Sequence, residues 1–291
     1  MATDPQIVPL DIILDSKNLG KDRDNPTFQL TNLENIVGMS VLWANIPFSF
    51  YVIDGSCNKF LIRFPHQGLA VDWVVDLQFG TYTPLGLQQE IRRAVTIAGF
   101  AISPNDAAAF TVIITSFDSR MLLYHPTLAF QMKVISTELA DILGYEYDTW
   151  VASQTAQLWK DGILVNDGDL VNYVKGIESV KLLGTPRLNL HSNLSANMVG
   201  MVREENESSD VIFSFPITNN FGTYLYGAGS MAIIPIARQN IYKINLYWTQ
   251  GSRTSYVNFR DNSVSNFLPL NGDGFQVCIR FFQDNGVVKI G

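Results

Sequence analysis

The longest alternation of apolar and polar side chains in this chain lies between Ser179 and Asn193. Two sets of residues alternate there, the apolar Val180, Leu182, Leu188 and Leu190 and the polar Lys181, Arg187, Asn189 and His191. Because successive side chains of a strand point to opposite faces, the pattern predicts a strand with one face on a core and the other in solvent. Gly184 and Pro186 interrupt it, which predicts an edge position, a bulge or a kink.

Strands are also predicted near the beginning of the chain. Leu10, Ile12 and Leu14 alternate with polar residues, and a charged, turn-rich loop follows at residues 17–26. A second strand begins at Phe28, and a third has period two from Val37 to Trp43 and ends at Pro47. We expect these strands to belong to one sheet.

From about Gly55 helical signals appear among the strands. Thr83 is a candidate N-cap with Pro84 behind it, and helical spacing continues to Ala98 before Gly99. Ser136 caps a second, shorter helix that Gly144 ends. Strand candidates surround these helices, at residues 59–64, 72–79, 110–115, 121–124 and 130–135. The order predicts a small α+β unit, and residues 145–176 are interpreted as a long connection back to the main sheet.

The rest of the chain reads as strands separated by turns. A charged loop at residues 201–210 and glycine-rich turns at 219–229 and 271–274 separate strand candidates at 211–217, 232–236, 243–248 and 277–281. Short alternating strands without helices are typical of a β-sandwich or jelly roll. The fold expected is therefore mainly β, with an α+β insertion.

The amino-acid composition indicates what kind of partner the protein is expected to bind. The 291 residues are 47% hydrophobic and 16% charged, and the charged share is below the roughly 25% of ordinary soluble domains. Two explanations stay open: part of the surface is covered by partners, or Ser, Thr and Asn make up ordinary β-sheet surfaces. The net charge of −7, without a Lys/Arg-rich run, argues against direct nucleic-acid binding.

Localisation signals are missing from the sequence. The first ten residues do not form a signal peptide, and no apolar run reaches the length of a membrane span, so we expect a soluble, non-secreted protein. Cys57 and Cys278 lie far apart, which predicts free thiols in a reducing compartment. Asn193 and Asn206 begin glycosylation triplets, which we interpret as coincidence.

The histidines and cysteines supply few candidates for chemistry. His66, His125 and His191 lack metal-ligand spacing, which disfavours a cupin-type enzyme. We predict that His191 is an ordinary surface or interface histidine. Arg280 shares a strand face with Cys278 and would lower the pKa of its thiol, but a buried structural cysteine is the favoured interpretation.

Two further motifs partly match known binding sites. The segment from Gly227 to Ala232 matches a relaxed dinucleotide fingerprint, but the residues after it predict a strand where that motif requires a helix. Asp161, Asp167 and Asp169 resemble part of a calcium loop, and a solvated turn is favoured. We therefore assign no catalytic, cofactor-binding or metal-binding residue and expect that the protein is not an enzyme.

Three stretches of the chain resemble a known family of capsid proteins. They are DIILDSKN with NPTFQLTNLENIVGMSVLWANIPFSFYVI, then VDLQFGTYTPLGLQQEIRRAV through STELADILGY, and finally LGTPRLNLHSNL. In these the chain is similar to the penton, or minor capsid, proteins of virophages, polinton-like viruses and related double-stranded DNA viruses. The resemblance implies a single upright jelly roll carrying an inserted domain, assembled as a pentamer at each capsid vertex, without catalytic residues or cofactors.

On this hypothesis residues 1–54 and 175–291 form the jelly roll and residues 55–174 the inserted α+β domain. The expected partners are further copies of the chain and the major capsid protein, and the expected location is the virion, assembled inside the host cell. The insertion would be free to contact a host receptor. The alternative is a receptor- or glycan-binding β-sandwich that uses Trp150 and Trp159 as stacking surfaces.

Overall fold

A computed structural model describes residues 6–19, 24–31, 33–66, 69–160, 163–164, 169–182, 187–194, 211–219, 221–229, 232–251, 256–257, 264–270 and 274–285. The fold is mainly β, as predicted. The strands are β1 (Ile7–Asp15), β2 (Thr27–Gln29), β3 (Ile36–Pro47), β4 (Lys59–His66), β5 (Leu69–Asp76), β6 (Thr111–Ile114), β7 (Met121–His125), β8 (Gln131–Val134), β9 (Val151–Ala152), β10 (Gln154–Ala156), β11 (Trp159–Lys160), β12 (Ile163–Leu164), β13 (Val171–Lys175), β14 (Arg187–Ser192), β15 (Val211–Pro216), β16 (Tyr224–Ala228), β17 (Ile234–Gln239), β18 (Lys243–Gln250), β19 (Tyr256–Val257), β20 (Val264–Ser265) and β21 (Gln276–Asp284). The helices are α1 (Pro84–Phe100), α2 (Pro104–Ala109) and α3 (Thr137–Leu143).

The chain divides into two compact units. The first unit comprises Met1–Phe50, Thr185–Tyr256 and Val264–Gly291, and the second comprises Tyr51–Gly184 and Val257–Ser263. Residues 51–54 and 175–184 thus cluster with the second unit, whereas the sequence analysis placed them in the first.

The first unit contains two antiparallel sheets. One has the order β1-β21-β3-β16, with β17 also paired to β3, and the other has the order β15-β14-β18-β2. A single apolar core takes side chains from both sheets, and Trp248 at its centre meets the ring edges of Phe215 and Phe275 at 5.7 and 5.9 Å between centroids. Burial on one face explains the two-residue alternation of β18.

The second unit combines two four-stranded sheets with the helices. The sheet orders are β5-β4-β8-β9 and β10-β13-β7-β6, and they share a core with α1 and α3. The predicted caps are confirmed: Thr83 Oγ1 accepts the N–H of Gly86 at 3.1 Å, and Ser136 Oγ accepts that of Leu139 at 3.0 Å. Helix α1 continues past Gly99 to Phe100, so Gly99 does not end it. The absence of a side chain at Gly99 lets the helix lie against Trp73.

The alternation of Ser179–Asn193 forms a strand only in its second half, so the prediction of a strand is wrong for Ser179–Leu182. Only Arg187–Ser192 forms a strand, β14. Val180 donates its N–H to Ser119 and Lys181 donates to Ile142, both at 2.8 Å and both within the second unit. The alternation therefore crosses from one unit to the other, and the predicted kink at Gly184 and Pro186 lies outside the described residues.

Strand β14 does bury one face, as the alternation predicts. It lies between β15 and β18, both from the later part of the chain. Leu188 and Leu190 are buried in the first core. The predicted core-facing strand is therefore present over a shorter length.

Three other assignments are corrected. Residues 145–176 do not connect the units as a loop, because β9, β10 and β13 pair within the two sheets of the second unit. The first strands do not share one sheet, because β2 pairs with β18 while β1 and β3 pair with β21. The glycine-rich turn at 219–229 contains strand β16. The loop at 201–210 and residues 271–273 lie outside the described residues.

Candidate functional site

His191 is buried in the sheet rather than exposed, which corrects the sequence prediction. Only 3% of the residue is accessible. Its imidazole stacks on the ring of Tyr247, the residue opposite it on β18, at 4.7 Å between centroids and 4° between planes. Its Nε2 atom lies 2.8 Å from Thr249 Oγ1. The neighbouring aromatic ring covers the histidine, which the alternation alone does not reveal.

The polar groups around His191 link the strands to one another. Ser214 Oγ donates to Asn189 Oδ1 at 2.8 Å, and Asn189 Nδ2 donates to the carbonyl of Gly251 at 2.9 Å. An imidazole beside a hydroxyl is able to share a proton, but His191 and Thr249 are both buried and neither is reached from solvent. The arrangement satisfies buried polar atoms across β15, β14 and β18.

The cysteines are buried free thiols, as the favoured interpretation predicted. Burial raises the pKa of the Cys278 thiol, and nearby Asp11 raises it further. Arg280 lowers the pKa of this thiol, as expected, but burial and Asp11 outweigh it, so the pKa is raised overall. The guanidinium of Arg280 is itself engaged with Asp11 through two hydrogen bonds of 2.6 and 2.8 Å.

The glycine fingerprint has a packing explanation. A Cβ atom on Gly227 would lie 2.6 Å from the ring of Phe215, and one on Gly229 would lie 1.7 Å from the carbonyl oxygen of Val41. These glycines allow β16 to lie close to its neighbours. Residues 230–231 of the motif lie outside the described residues.

Within the described ranges, no group of three or more His, Cys, Asp or Glu residues is arranged to hold a metal ion. Asp161, Asp167 and Gly168 of the proposed calcium turn lie outside those ranges. The same holds for Asn206 of the second glycosylation triplet, whereas Asn193 of the first accepts the N–H of Asn245 at 2.8 Å. No helix in the described part of the chain is long and apolar enough to cross a membrane.

An open cleft of about 470 Å³ lies in the second unit between the ends of β4 and β5 and helix α1. Its cations are already paired: Lys59 lies 3.6 Å from Asp76, and Arg93 lies 2.6 Å from Glu90. Glu90 also accepts the N–H of Gln78 at 2.6 Å, so the charges hold the loop before α1 against the helix.

Trp150 is partly covered. The guanidinium of Arg63 lies 4.1 Å from the centre of its ring and is itself bound to Asp72 through two hydrogen bonds. One face of the indole is thus occupied by a fixed side chain. The side chain of Trp159, the other proposed stacking surface, lies outside the described residues.

One face of the five-stranded sheet in the first unit carries several exposed apolar side chains. Seven side chains point away from the core on this face, and we call them the outer face: Ile7, Pro9, Ile13, Trp43, Tyr224, Tyr226 and Phe282. Ile13, Cys278, Trp43 and Ala228 occupy one row across the four strands, and Trp43 stacks on Tyr226 at 6.4 Å. Ile13 is 62% and Tyr226 63% exposed. Aromatic side chains exposed in this way are typical of protein interfaces.

The glycine content of residues 219–229 predicts a turn and hides this face. The alternation Tyr224-Leu-Tyr-Gly-Ala228 nevertheless has the period of a strand. The two strands at the ends of the sheet order, β1 and β16, carry most of the exposed residues. The candidate site is therefore an interaction surface on the first unit.

Together these features define a class of protein: mainly β, with an antiparallel β-sandwich and an exposed aromatic sheet face. In fold the chain is similar to the penton protein of mavirus, with a TM-score of 0.50 and 8% sequence identity over 96% of this chain and 99% of that one. This likeness shows the fold, and at that level it confirms the resemblance noted from the sequence. No protein-family model matches the chain. No curated protein matches its sequence.

Proposed function

We propose that this protein is a penton subunit, a structural protein that forms pentamers and closes the fivefold vertices of an icosahedral virus capsid. The observation that carries the proposal is the fold likeness to the mavirus penton protein over 96% of the chain. Two features of this chain support it: the low share of charged residues and the exposed aromatic outer face. The protein would act by being held between neighbours rather than by catalysis.

The architecture that accompanies this function is a single jelly roll with an inserted domain. The first unit would be the jelly roll, and the second unit would be inserted between β3 and β14. The return of the chain to one core on both sides of residues 51–184 supports this division. We place its boundaries near Phe50 and Thr185 rather than at residues 54 and 175.

The role implies a location and a set of partners. The protein would reside in the virion after assembly inside the host cell, beside the major capsid protein of the same particle. The second unit, with a core of its own, would be available for outward contacts such as a host receptor.

Oligomeric state and incorporation into particles test this function. Purified protein should give pentamers by size-exclusion chromatography with light scattering, and ring-shaped particles in negative stain. Co-expression with the major capsid protein should place it in shells. A protein that stays monomeric at every concentration and never enters particles would overturn the proposal.

The alternative of a glycan-binding module gains no support from Trp150. Sugar recognition by stacking needs an accessible ring face, and Arg63 occupies one face of this ring. A glycan array would decide in its favour if binding were found and were lost in Trp150→Ala. If no glycan is bound, the capsid role is the one proposed function that remains.

A further inference from the structure

We propose that strands β1 and β16, whose outer edges are open among the described residues, pair with each other between two copies of this chain, so that the five-stranded sheet continues from one subunit into the next. The inference rests on the proposed assembly of identical copies and deepens it by naming the surfaces that meet. Four observations carry it: the direction of the main-chain groups, the matching of faces, the direction of the strands and the chemistry of the side chains.

The first observation concerns the free main-chain groups of β1. Asn285 donates its N–H to the carbonyl of Gln6, and Ser16 donates to that of Phe275, while the register between β1 and β21 is regular. Because hydrogen-bonded residues alternate in an antiparallel pair, the even residues of β1 bond to β21 and the odd residues point their N–H and C=O groups to the open edge. Pro9 has no N–H to offer. The usable edge is thus Asp11, Ile13 and Asp15.

The same reasoning applies to β16. Phe48 donates to the carbonyl of Thr223, and Gly229 donates to that of Leu42, so the odd residues bond to β3. The groups of Tyr224, Tyr226 and Ala228 point to the open edge. The carbonyl of Tyr224 is occupied by Asn219 Nδ2 at 2.8 Å. Each edge therefore offers a segment of about five residues, the usual length of a strand pairing.

The second observation is that the faces match. Residues that bond across a sheet have their side chains on the same face. On β1 and on β16 alike, the residues whose main-chain groups are free are those whose side chains lie on the outer face. Pairing of the two edges would keep the outer face continuous and the cores aligned.

The third observation is strand direction. Three successive antiparallel pairings separate β1 from β16, so the two strands run in opposite directions within one subunit. A rotation about an axis along the strands preserves the direction of β1 in the next copy, which would then meet β16 in the antiparallel sense. A ring needs this kind of contact between two unlike surfaces.

The fourth observation is chemical complementarity. The outer side of β1 combines exposed Ile13 with the carboxylates of Asp11 and Asp15. These carboxylates accept hydrogen bonds from Arg280 and Gln276 of their own subunit and keep further lone pairs for other donors. The β16 side presents the rings and hydroxyls of Tyr224 and Tyr226, which donate hydrogen bonds, and carries no charge. β1 contains no lysine, and its one proline, Pro9, lies outside the segment from Asp11 to Asp15.

The first test is Ile13→Pro. It removes an N–H that faces the open edge and leaves the hydrogen bonds to β21 in place. We therefore expect the concentration below which the pentamer dissociates to rise about tenfold or more relative to the wild type. The monomer should unfold at nearly the same urea concentration as the wild type. The matched control is Val74→Pro. Val74 is 55% exposed on the edge strand β5, and its N–H also faces an open edge, because Leu77 donates to Asn58 in the β4–β5 ladder.

The second test is crosslinking with a short bis-maleimide in a Cys278→Ala background, because Cys278 lies directly opposite Ile13 and would react with a cysteine placed there. The other native cysteine, Cys57, is buried. Ile13→Cys with Tyr226→Cys in one chain should give a ladder of covalent oligomers on a denaturing gel, whereas Ile13→Cys alone should give none. Covalent dimers from the single variant would show β1 pairing with β1 and overturn the inference, as would a pentamer that Ile13→Pro leaves intact. A wild-type chain that is monomeric throughout would instead defeat the proposed function itself.

Discussion

The Nδ1 atom of His125 accepts the backbone N–H of Leu128 at 2.9 Å, and it also accepts that of Thr127 at 3.2 Å. A ring nitrogen that accepts hydrogen bonds carries no proton, so the imidazole is neutral in the folded protein. Burial lowers the pKa of His125, with a smaller opposing effect of Asp106, the acidic residue that faces it from α2. The ring also meets the edge of Phe110 at 4.9 Å.

This relationship predicts acid sensitivity of the second unit. The pKa of His125 is lower in the folded chain than its value of about 6.5 in the unfolded chain, so the stabilisation is complete above pH ~6.5 and is lost as pH falls below that value. Urea unfolding at pH 7.5 and pH 5 should show the loss. In His125→Asn, which keeps an acceptor for the turn but does not titrate, the loss should be smaller. An equal pH dependence in both proteins would contradict the prediction.

The low pKa of Asp118 predicts a second loss of stability, at lower pH. Burial acts to raise the pKa of its carboxyl, but hydrogen bonds from Thr115, from Lys175 and from the N–H of Arg120 outweigh it and hold the pKa at about 2. Since this pKa is below the unfolded value near 3.9, the stabilisation is present above pH ~4 and disappears as pH falls toward 2.

Replacement of Asp118 tests this arrangement directly. Asp118→Asn should lower the free energy of unfolding by about 1–3 kcal/mol at pH 7, because the hydrogen bonds to the charged group are lost. The control is Asp148→Asn. Asp148 also meets a lysine, Lys133 at 2.7 Å, but its side chain is well exposed, so its loss should cost about 0–1 kcal/mol. Equal losses in the two variants would argue against the turn network.

We expect Gly99→Ala to lower the free energy of unfolding, although helix propensity alone predicts that it raises it. Alanine normally stabilises a helix interior by up to about 1 kcal/mol relative to glycine. Here a Cβ atom would lie 2.4 Å from the indole of Trp73 and 2.7 Å from the Cβ of Ala107, so we expect destabilisation of about 1–3 kcal/mol. Thermal unfolding measures it, with Arg92→Ala on the exposed side of the same helix as the control. A stabilised Gly99→Ala variant would show that the contact with Trp73 is loose.

The two thiols predict slow chemical labelling. Cys57 and Cys278 are buried, and burial raises the pKa of Cys278, so neither should react with a disulfide reagent at pH 8 until the protein unfolds. Absorbance after mixing should show no fast phase in the native protein and about two thiols in urea. Phe117→Cys, at a highly exposed turn position, supplies the rapidly labelled control. Fast labelling of the wild type would contradict the burial.

Helix α1 was predictable because its cap and periodicity are local signals. The pattern of Leu188 and Leu190 likewise placed them on a core. The exposure of His191 was not predictable, since alternation assigns a side chain to a face but does not show that Tyr247 covers it. The alternation of Ser179–Asn193 misled because two segments that pack on different cores keep the same parity. The edge positions of β1 and β16 depend on pairings between residues more than 170 positions apart, and no local pattern records these.

The pairing of β1 with β21 has a consequence for protein synthesis. Residues 7–15 leave the ribosome early but find their partner only when residues 276–284 have been made. Tyr51–Gly184, which form most of the second unit from one continuous stretch, are complete much sooner. The sheet that carries the proposed contact surfaces is therefore completed after the second unit.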